Sequence, residues 1–167
     1  MKITIFIMRH GEAEVAKNFS QEADFSRRLT SFGEDSVREV GQRIFNRNIE
    51  ITHAFVSPYV RTQQSFNLFF STLPDKKLVA HTTTGLITPS GDGKEFHDFL
   101  DGLLCNMEEE NKQSNILIVS HAPFVSYLVE SLTQGEVRPC FSPATVAEVS
   151  YDIKKMRGNL INITPAD

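Results

Sequence analysis

The sequence has no cluster of Lys or Arg, no long apolar run, only two cysteines and no repeat or low-complexity tract. Each absence removes a class of function. With a net charge of −4 and basic residues scattered along 167 positions, the chain has no electrostatic footprint for nucleic acid or an anionic membrane. The first apolar stretch, Ile3–Met8, is too short for the core of a signal peptide or for a membrane span. No nucleic acid, no membrane partner and a cytoplasmic location are therefore expected. Cys105 and Cys140 are too few for a disulfide framework and lack metal-ligand spacing, so both are expected as reduced, half-buried thiols. No Pro- or Ser-rich linker divides the chain, and residues 1–167 are expected to form one domain.

What is present is an alternation of strand and helix patterns. Ile3–Met8 reads as a buried strand. Thr30 suits the N-cap of a helix running to about Asn46, in which Val37, Val40, Gly41 and Ile44 recur at i, i+3, i+4 and i+7. Ala54–Val56 is a second short strand closed by Ser57-Pro58, and the helix after it carries Phe66, Phe69 and Phe70. Val79–Thr84 is expected as a strand, followed by the loop TPSGDG. Lys94 to about Glu110 is expected as a helix, with Phe96, Phe99, Leu100, Leu103 and Met107 on one stripe. Ile116–Val119 reads as a strand buried on both faces, and Phe124–Leu132 as an apolar-rich helix. Val146–Tyr151 and Leu160–Ile163 then form a closing hairpin, with Arg157-Gly158-Asn159 near its turn. Such alternation implies an α/β fold: a three-layer sandwich with a mostly parallel central sheet, helices on both faces and an antiparallel edge strand.

In open α/β sheets, ligands bind beyond the carboxyl ends of the strands. Three expected strands end in polar residues: Met8 runs into Arg9-His10-Gly11, Val56 into Ser57-Pro58, and Val119 into Ser120-His121. Arg9 and Arg61 are permanent cations whose planar forks suit phosphate oxygens, and Arg61 is expected about one turn into its helix. His10 and His121 can act near neutral pH as nucleophile, proton carrier or hydrogen-bond donor. Gly11 removes a Cβ where backbone must come close to a ligand. Taken singly, each has an ordinary structural use, and His53, His81 and His97 are expected to have only that. Together, two arginines and two histidines at one sheet rim make a dianion pocket with a nucleophile inside it.

The stretches FIMRHGEAE, RRLTSFGEDS, VSPYVRTQQS and ILIVSHAPFVSYLV resemble the signatures of the histidine phosphatase superfamily, in order and over nearly the whole chain. No long insertion separates His10 from Arg28 or Leu86 from Ile116. That shortness, with LITPSGDG and SHAPFVSYLVE, resembles the smallest branch, the SixA-type phosphohistidine phosphatases; larger relatives such as phosphoglycerate mutases carry substrate-specifying insertions there. The resemblance implies a phosphoglycerate mutase-like fold and a hydrolase working without metal or cofactor. It also implies that His10 is a nucleophile phosphorylated in passing, with Arg9, Arg61 and His121 completing the phosphate pocket. The implied partner is a histidine-phosphorylated protein such as a phosphotransfer domain or phosphocarrier.

Most members supply a carboxylate to protonate the leaving oxygen. Here the slot near Gly85-Leu86 holds no acid, and Glu12, Asp92 and Glu95 are the candidates to stand in. An alkoxide leaving group needs such a proton, whereas a phosphohistidine protonated on its distal nitrogen leaves as neutral imidazole. The missing acid therefore favours a phosphoramidate substrate. Thr88, Pro89, Gly91-Asp92-Gly93 and Phe124 are candidates for the rim a partner touches, although Phe124 and Phe141 suit the core better. The competing readings are a small-molecule phosphomonoesterase on the same fold and, of another class, a non-catalytic phosphoprotein-binding module. A mutase fits least, because it needs an acid and a closed pocket.

Overall fold

The computed structural model describes residues 2–73, 79, 81–107 and 114–166. In chain order these form β1 (Lys2–Arg9), α1 (Gln21–Phe25), α2 (Ser31–Phe45), β2 (His53–Val56), α3 (Val60–Phe69) and β3 (His81–Thr83). A 3₁₀ turn (Gly85–Ile87) leads into α4 (Gly93–Met107), β4 (Asn115–Ser120), α5 (Phe124–Leu132), β5 (Val146–Asp152) and β6 (Arg157–Thr164). The strand expected over Val79–Thr84 is described as His81–Thr83, with residue 80 outside the described set. The helix expected to reach about Glu110 is described to Met107, and residues 108–110 also lie outside it.

Alternation within single strands decides the layering. β1 turns Ile3, Ile5 and Ile7 to one face and Phe6 and Met8 to the other, and β4 divides Ile116 and Ile118 from Leu117 and Val119 in the same way. The first face packs against Phe96, Leu100 and Leu104 of α4 and Phe124, Leu128 and Leu132 of α5. The second packs against Val37, Val40 and Ile44 of α2 and Phe66 and Phe69 of α3. The result is the expected three-layer sandwich.

The sheet order is β3-β2-β4-β1-β5-β6. Strands β1 to β4 run parallel; β5 runs antiparallel to β1, and β6 antiparallel to β5, so the antiparallel edge is a hairpin. Parallel register sets Arg9 beside Ser120 and Met8 beside Val119, which brings the carboxyl ends of β1 and β4 level. Thr30 caps α2 as expected, its Oγ1 accepting from the Gly33 amide at 3.0 Å.

Four local features differ from the sequence reading. Arg61 lies in the first turn of α3, since the helix begins at Val60. The polar stretch before Thr30 contains α1, capped by Ser20 Oγ on the Ala23 amide at 3.1 Å. The hairpin turns at Ile153–Met156, and Gly158 lies inside β6, where a Cβ would come 2.5 Å from Val149 Cγ1. Both cysteines are exposed free thiols, not half-buried ones. Cys105 falls beside the buried Leu104 on α4, off the stripe that packs on the sheet.

His97 is structural, as expected. Its Nδ1 meets Ser131 Oγ and its Nε2 meets Tyr151 OH, both at 2.8 Å, tying α4 to α5 and β5. The Tyr151 hydroxyl donates to Asp101, and burial together with that bond raises its pKa. Among the described residues, no helix is long and apolar enough to cross a membrane.

Candidate active site

Backbone bonds carry the sheet one step past its strand ends. The His10 amide donates to Ser120 O at 3.0 Å and the Ser57 amide to Val119 O at 3.1 Å. Arg9-His10, Ser57 and Ser120-His121 therefore stand on one rim, as the strand ends imply. The Thr84 amide donates to Val56 O at 3.0 Å and Ser120 Oγ to Ile87 O at 2.6 Å, fastening the 3₁₀ turn to that rim. After His10 the chain passes so close to α2 that a Cβ on Gly11 would sit 2.8 Å from Gly33 O. A Cβ on Gly33 would sit 2.1 Å from Glu12 O. Two glycines face each other because neither side can move away.

His10 is 7 % exposed. Its Nδ1 lies 2.7 Å from Gly11 O, and a carbonyl only accepts, so Nδ1 carries the proton. Nε2 then keeps its lone pair, which accepts from Arg61 Nε at 3.2 Å. Burial first, and then the charges of Arg61, Arg9 and Arg27, lower the pKa from 6.5 to about 4, against the opposing pull of the Gly11 bond. The ring is neutral at pH 7, with a nucleophilic nitrogen.

His121 is 1 % exposed, its ring 5.2 Å from that of His10. Its Nε2 lies 2.8 Å from Ser57 Oγ, while its Nδ1 is buried without a hydrogen-bond partner. In the tautomer where the Ser57 hydroxyl donates to Nε2, the proton is on Nδ1, a free donor. Burial, then His10 and the three arginines, lower its pKa to about 2.

Three guanidinium groups surround the imidazoles. Arg61, 4 % exposed, donates through Nη1 to Asp24 O at 2.7 Å and lies 4.9 Å from the Tyr59 ring centroid. Arg9 donates through Nη1 to Phe141 O at 2.7 Å, and its Nε is buried without a partner. Arg27 donates through Nε to Glu14 O at 2.6 Å and pairs with Asp24 Oδ1 at 3.1 Å. Asp24 Oδ2 is also 3.5 Å from Arg61 Nη2, so one carboxylate spans two of the three cations. The remaining positive charge and the two unpartnered polar atoms suit a multiply charged oxyanion.

The sequence reading named His10, Arg9, Arg61 and His121, and the structure brings these four together. It did not single out Asp24 or Tyr59, it left open whether Arg27 or Arg28 approaches the pocket, and it used Ser57 only as the close of a strand. The first Arg in RRLTSFGEDS, Arg27, is the further cation that the structure brings to the site. Of the candidate acids, Asp92 Oδ1 caps α4 through the Lys94 and Glu95 amides at 2.9 and 3.2 Å. Glu12 is exposed, its Oε1 accepting from Thr30 Oγ1 at 3.2 Å, and Glu95 is exposed in the first turn of α4. Phe124 and Phe141 are buried core residues, while Thr88, Pro89 and Gly91 are half-buried. Among the described residues, no group of three or more His, Cys, Asp or Glu side chains is placed to hold a metal ion.

A rim of arginines around paired imidazoles, on a phosphoglycerate mutase-like sandwich, defines a phosphoryl-handling class, and comparison with known proteins agrees. The family model "Histidine phosphatase superfamily (branch 1)" matches residues 5–88. The chain belongs to the histidine phosphatase superfamily and is a phosphatase. It is 31 % identical over 150 residues to phosphohistidine phosphatase SixA of Escherichia coli (strain K12), spanning 89 % of this chain and 85 % of that protein. It is 35 % identical over 162 residues to a phosphohistidine phosphatase SixA homolog of Haemophilus influenzae, spanning 92 % and 91 %. The solved structure of the protein histidine phosphatase SixA complexed with tungstate superposes with a TM-score of 0.85 at 28 % identity, covering 98 % of this chain and 97 % of that one. A phosphoglycerate mutase from Bacillus anthracis shares the fold, with a TM-score of 0.71 at 14 % identity over 96 % and 92 % of the two chains.

Proposed function

We propose that this protein removes phosphate from phosphohistidine on a signalling or phosphocarrier protein, through a covalent phosphoryl intermediate on His10. The observation that carries the reading is the protonation state of His10: Nδ1–H on the Gly11 carbonyl, Nε2 bare, and a pKa well below neutrality. Nε2 attacks phosphorus in line. The substrate P–N bond breaks, and its electron pair returns to the departing nitrogen. With a proton already on the distal ring nitrogen, that imidazole leaves neutral, so the reaction makes little demand on Glu12, Asp92 or Glu95.

The phosphorylated His10 ring is an imidazolium, and the Gly11 carbonyl is aligned to hold its remaining proton. Arg9, Arg61 and the His121 Nδ1–H donor take the phosphoryl oxygens as charge redistributes; such preorganised groups are the main catalytic resource in phosphoryl transfer. Water then attacks phosphorus, the bond to Nε2 breaks, and the water's protons go to phosphate and solvent. Two relatives carry the name phosphohistidine phosphatase, and tungstate, the ligand of a solved relative, is a tetrahedral oxyanion like phosphate. Both support this reading.

The test is phosphate release, side by side, from a histidine-phosphorylated phosphotransfer protein and from a simple phosphomonoester, with His10→Ala as control. Faster cleavage of the phosphoprotein, abolished in the variant, is the expected outcome. Preference for the monoester sinks the substrate assignment.

A further inference from the structure

Four of the nine large apolar side chains exposed among the described residues fall in one segment beside the pocket. Val15 is 90 % exposed, Phe19 fully so and Phe32 66 %, with Phe25 partly exposed. All four fall between His10, just past the end of β1, and the end of the first turn of α2. None is required by the core. Apolar groups left together in water mark interaction sites more often than isolated ones do.

The segment is physically continuous with the pocket. Ala13 bridges to Leu29, and the Glu14 amide donates to Arg28 O at 2.8 Å, so its two ends are clamped together. The Phe25 ring lies 4.9 Å from Tyr59, whose ring lies 5.0 Å from His121. Arg27 holds the carbonyl of Glu14, next to Val15, while its charge acts on His10.

Resting on the phosphohistidine reading above, we propose that residues 15–32 form the docking surface for the phosphorylated protein. The partner presents its phosphohistidine from a face flanked by apolar side chains. The argument is one of reach. In a phosphohistidine the phosphorus is about five bonds, or roughly 6–7 Å, from its own Cα. A partner whose phosphoryl group meets His10 must therefore bring its backbone to the mouth of the pocket and cover what surrounds it. Transient complexes bury little area, so a few aromatic anchors supply most of the affinity.

The experiment compares steady-state kinetics of the wild type and a Val15→Ser/Phe19→Ser variant. The substrates are a histidine-phosphorylated phosphotransfer protein and phosphoimidazole. Ile161→Ser, which alters an exposed residue on β6, serves as the surface control, and melting curves verify folding. The expected result is a loss of about tenfold or more in kcat/KM on the phosphoprotein, carried by KM. Phosphoimidazole kinetics stay unchanged, and the control behaves as wild type. Unchanged kinetics on the phosphoprotein, or equal losses on both substrates, overturn the proposal. So does a wild-type dimer in sedimentation that the double variant dissolves while its phosphoprotein kinetics hold, since the patch would then serve self-association. A wild type that cleaves monoesters but no phosphohistidine protein defeats the underlying reading instead, and the two failures are distinct.

Discussion

Acidification is the perturbation that tests the nucleophile's chemistry most sharply. Burial and three neighbouring cations take the His10 pKa from 6.5 to about 4. That difference corresponds to about 3 kcal/mol of discrimination against the imidazolium. At pH 5.5 a ring with pKa 4 is about 97 % neutral, whereas an unperturbed one is about 9 % neutral. A tenfold difference in competent enzyme thus rests on the environment alone. The assay is an NMR titration of the His10 Cε1 proton in the ligand-free protein, assigned by its disappearance in His10→Ala. A midpoint near 4 is expected, with a second, still lower transition from His121. The same shift acts on stability. The folded form binds its proton later than the unfolded chain does, so the contribution is complete above pH 6.5 and is lost as pH falls through about 4. Tungstate or orthophosphate reverses the local field and raises both midpoints. A free-enzyme midpoint between 6 and 7 refutes the reasoning, because His10 would then be exposed or unopposed by the arginines.

Three substitutions follow from the same geometry. Ser57→Ala removes the hydroxyl that orients His121, and kcat/KM falls about tenfold in initial-rate assays, the worth of one hydrogen bond plus a freed tautomer. Asp24→Asn leaves the backbone carbonyl that holds Arg61 but deletes the carboxylate spanning Arg61 and Arg27; orthophosphate inhibition tightens about two- to fivefold, while weaker inhibition shows that Asp24 chiefly positions the arginines. Gly33→Ala drives a Cβ to 2.1 Å from Glu12 O and forces α2 away from the loop after His10. It lowers stability by about 3 kcal/mol, a fall of about 6–12 °C in the thermal midpoint, read by calorimetry.

Much of this was legible in the sequence because local rules and tertiary demands coincide there. Thr30 supplies a cap where the polar excursion must end, and the helix it starts repeats its apolar residues at the spacing the sheet requires. Ile3–Met8 and Ile116–Val119 are apolar on both faces because both strands lie inside the sheet, so their polar successors stand out. Arg9, His10 and His121 are those successors, and Arg61 follows a third strand end. Asp24 escaped notice, and the choice between Arg27 and Arg28 stayed open, because both depend on how a short helix folds back over Tyr59, and no periodicity encodes that. Gly158 looked like a turn residue, yet packing against Val149 explains it better. The cysteines were misjudged because a residue type's average burial says nothing about which side of a helix it occupies. Of the acids the sequence offered, Asp92 caps a helix, and Glu12 and Glu95 face solvent.

The central claim is that phosphate passes through His10. Mixing the enzyme with a ³²P-labelled phosphohistidine protein, quenching in alkali within milliseconds and separating the two proteins by size measures this directly. The account predicts alkali-stable, acid-labile label on the enzyme, located by mass spectrometry on the peptide containing His10 and absent from His10→Ala. Phosphate release at the normal rate with no labelled enzyme, or label that persists in His10→Ala, contradicts it.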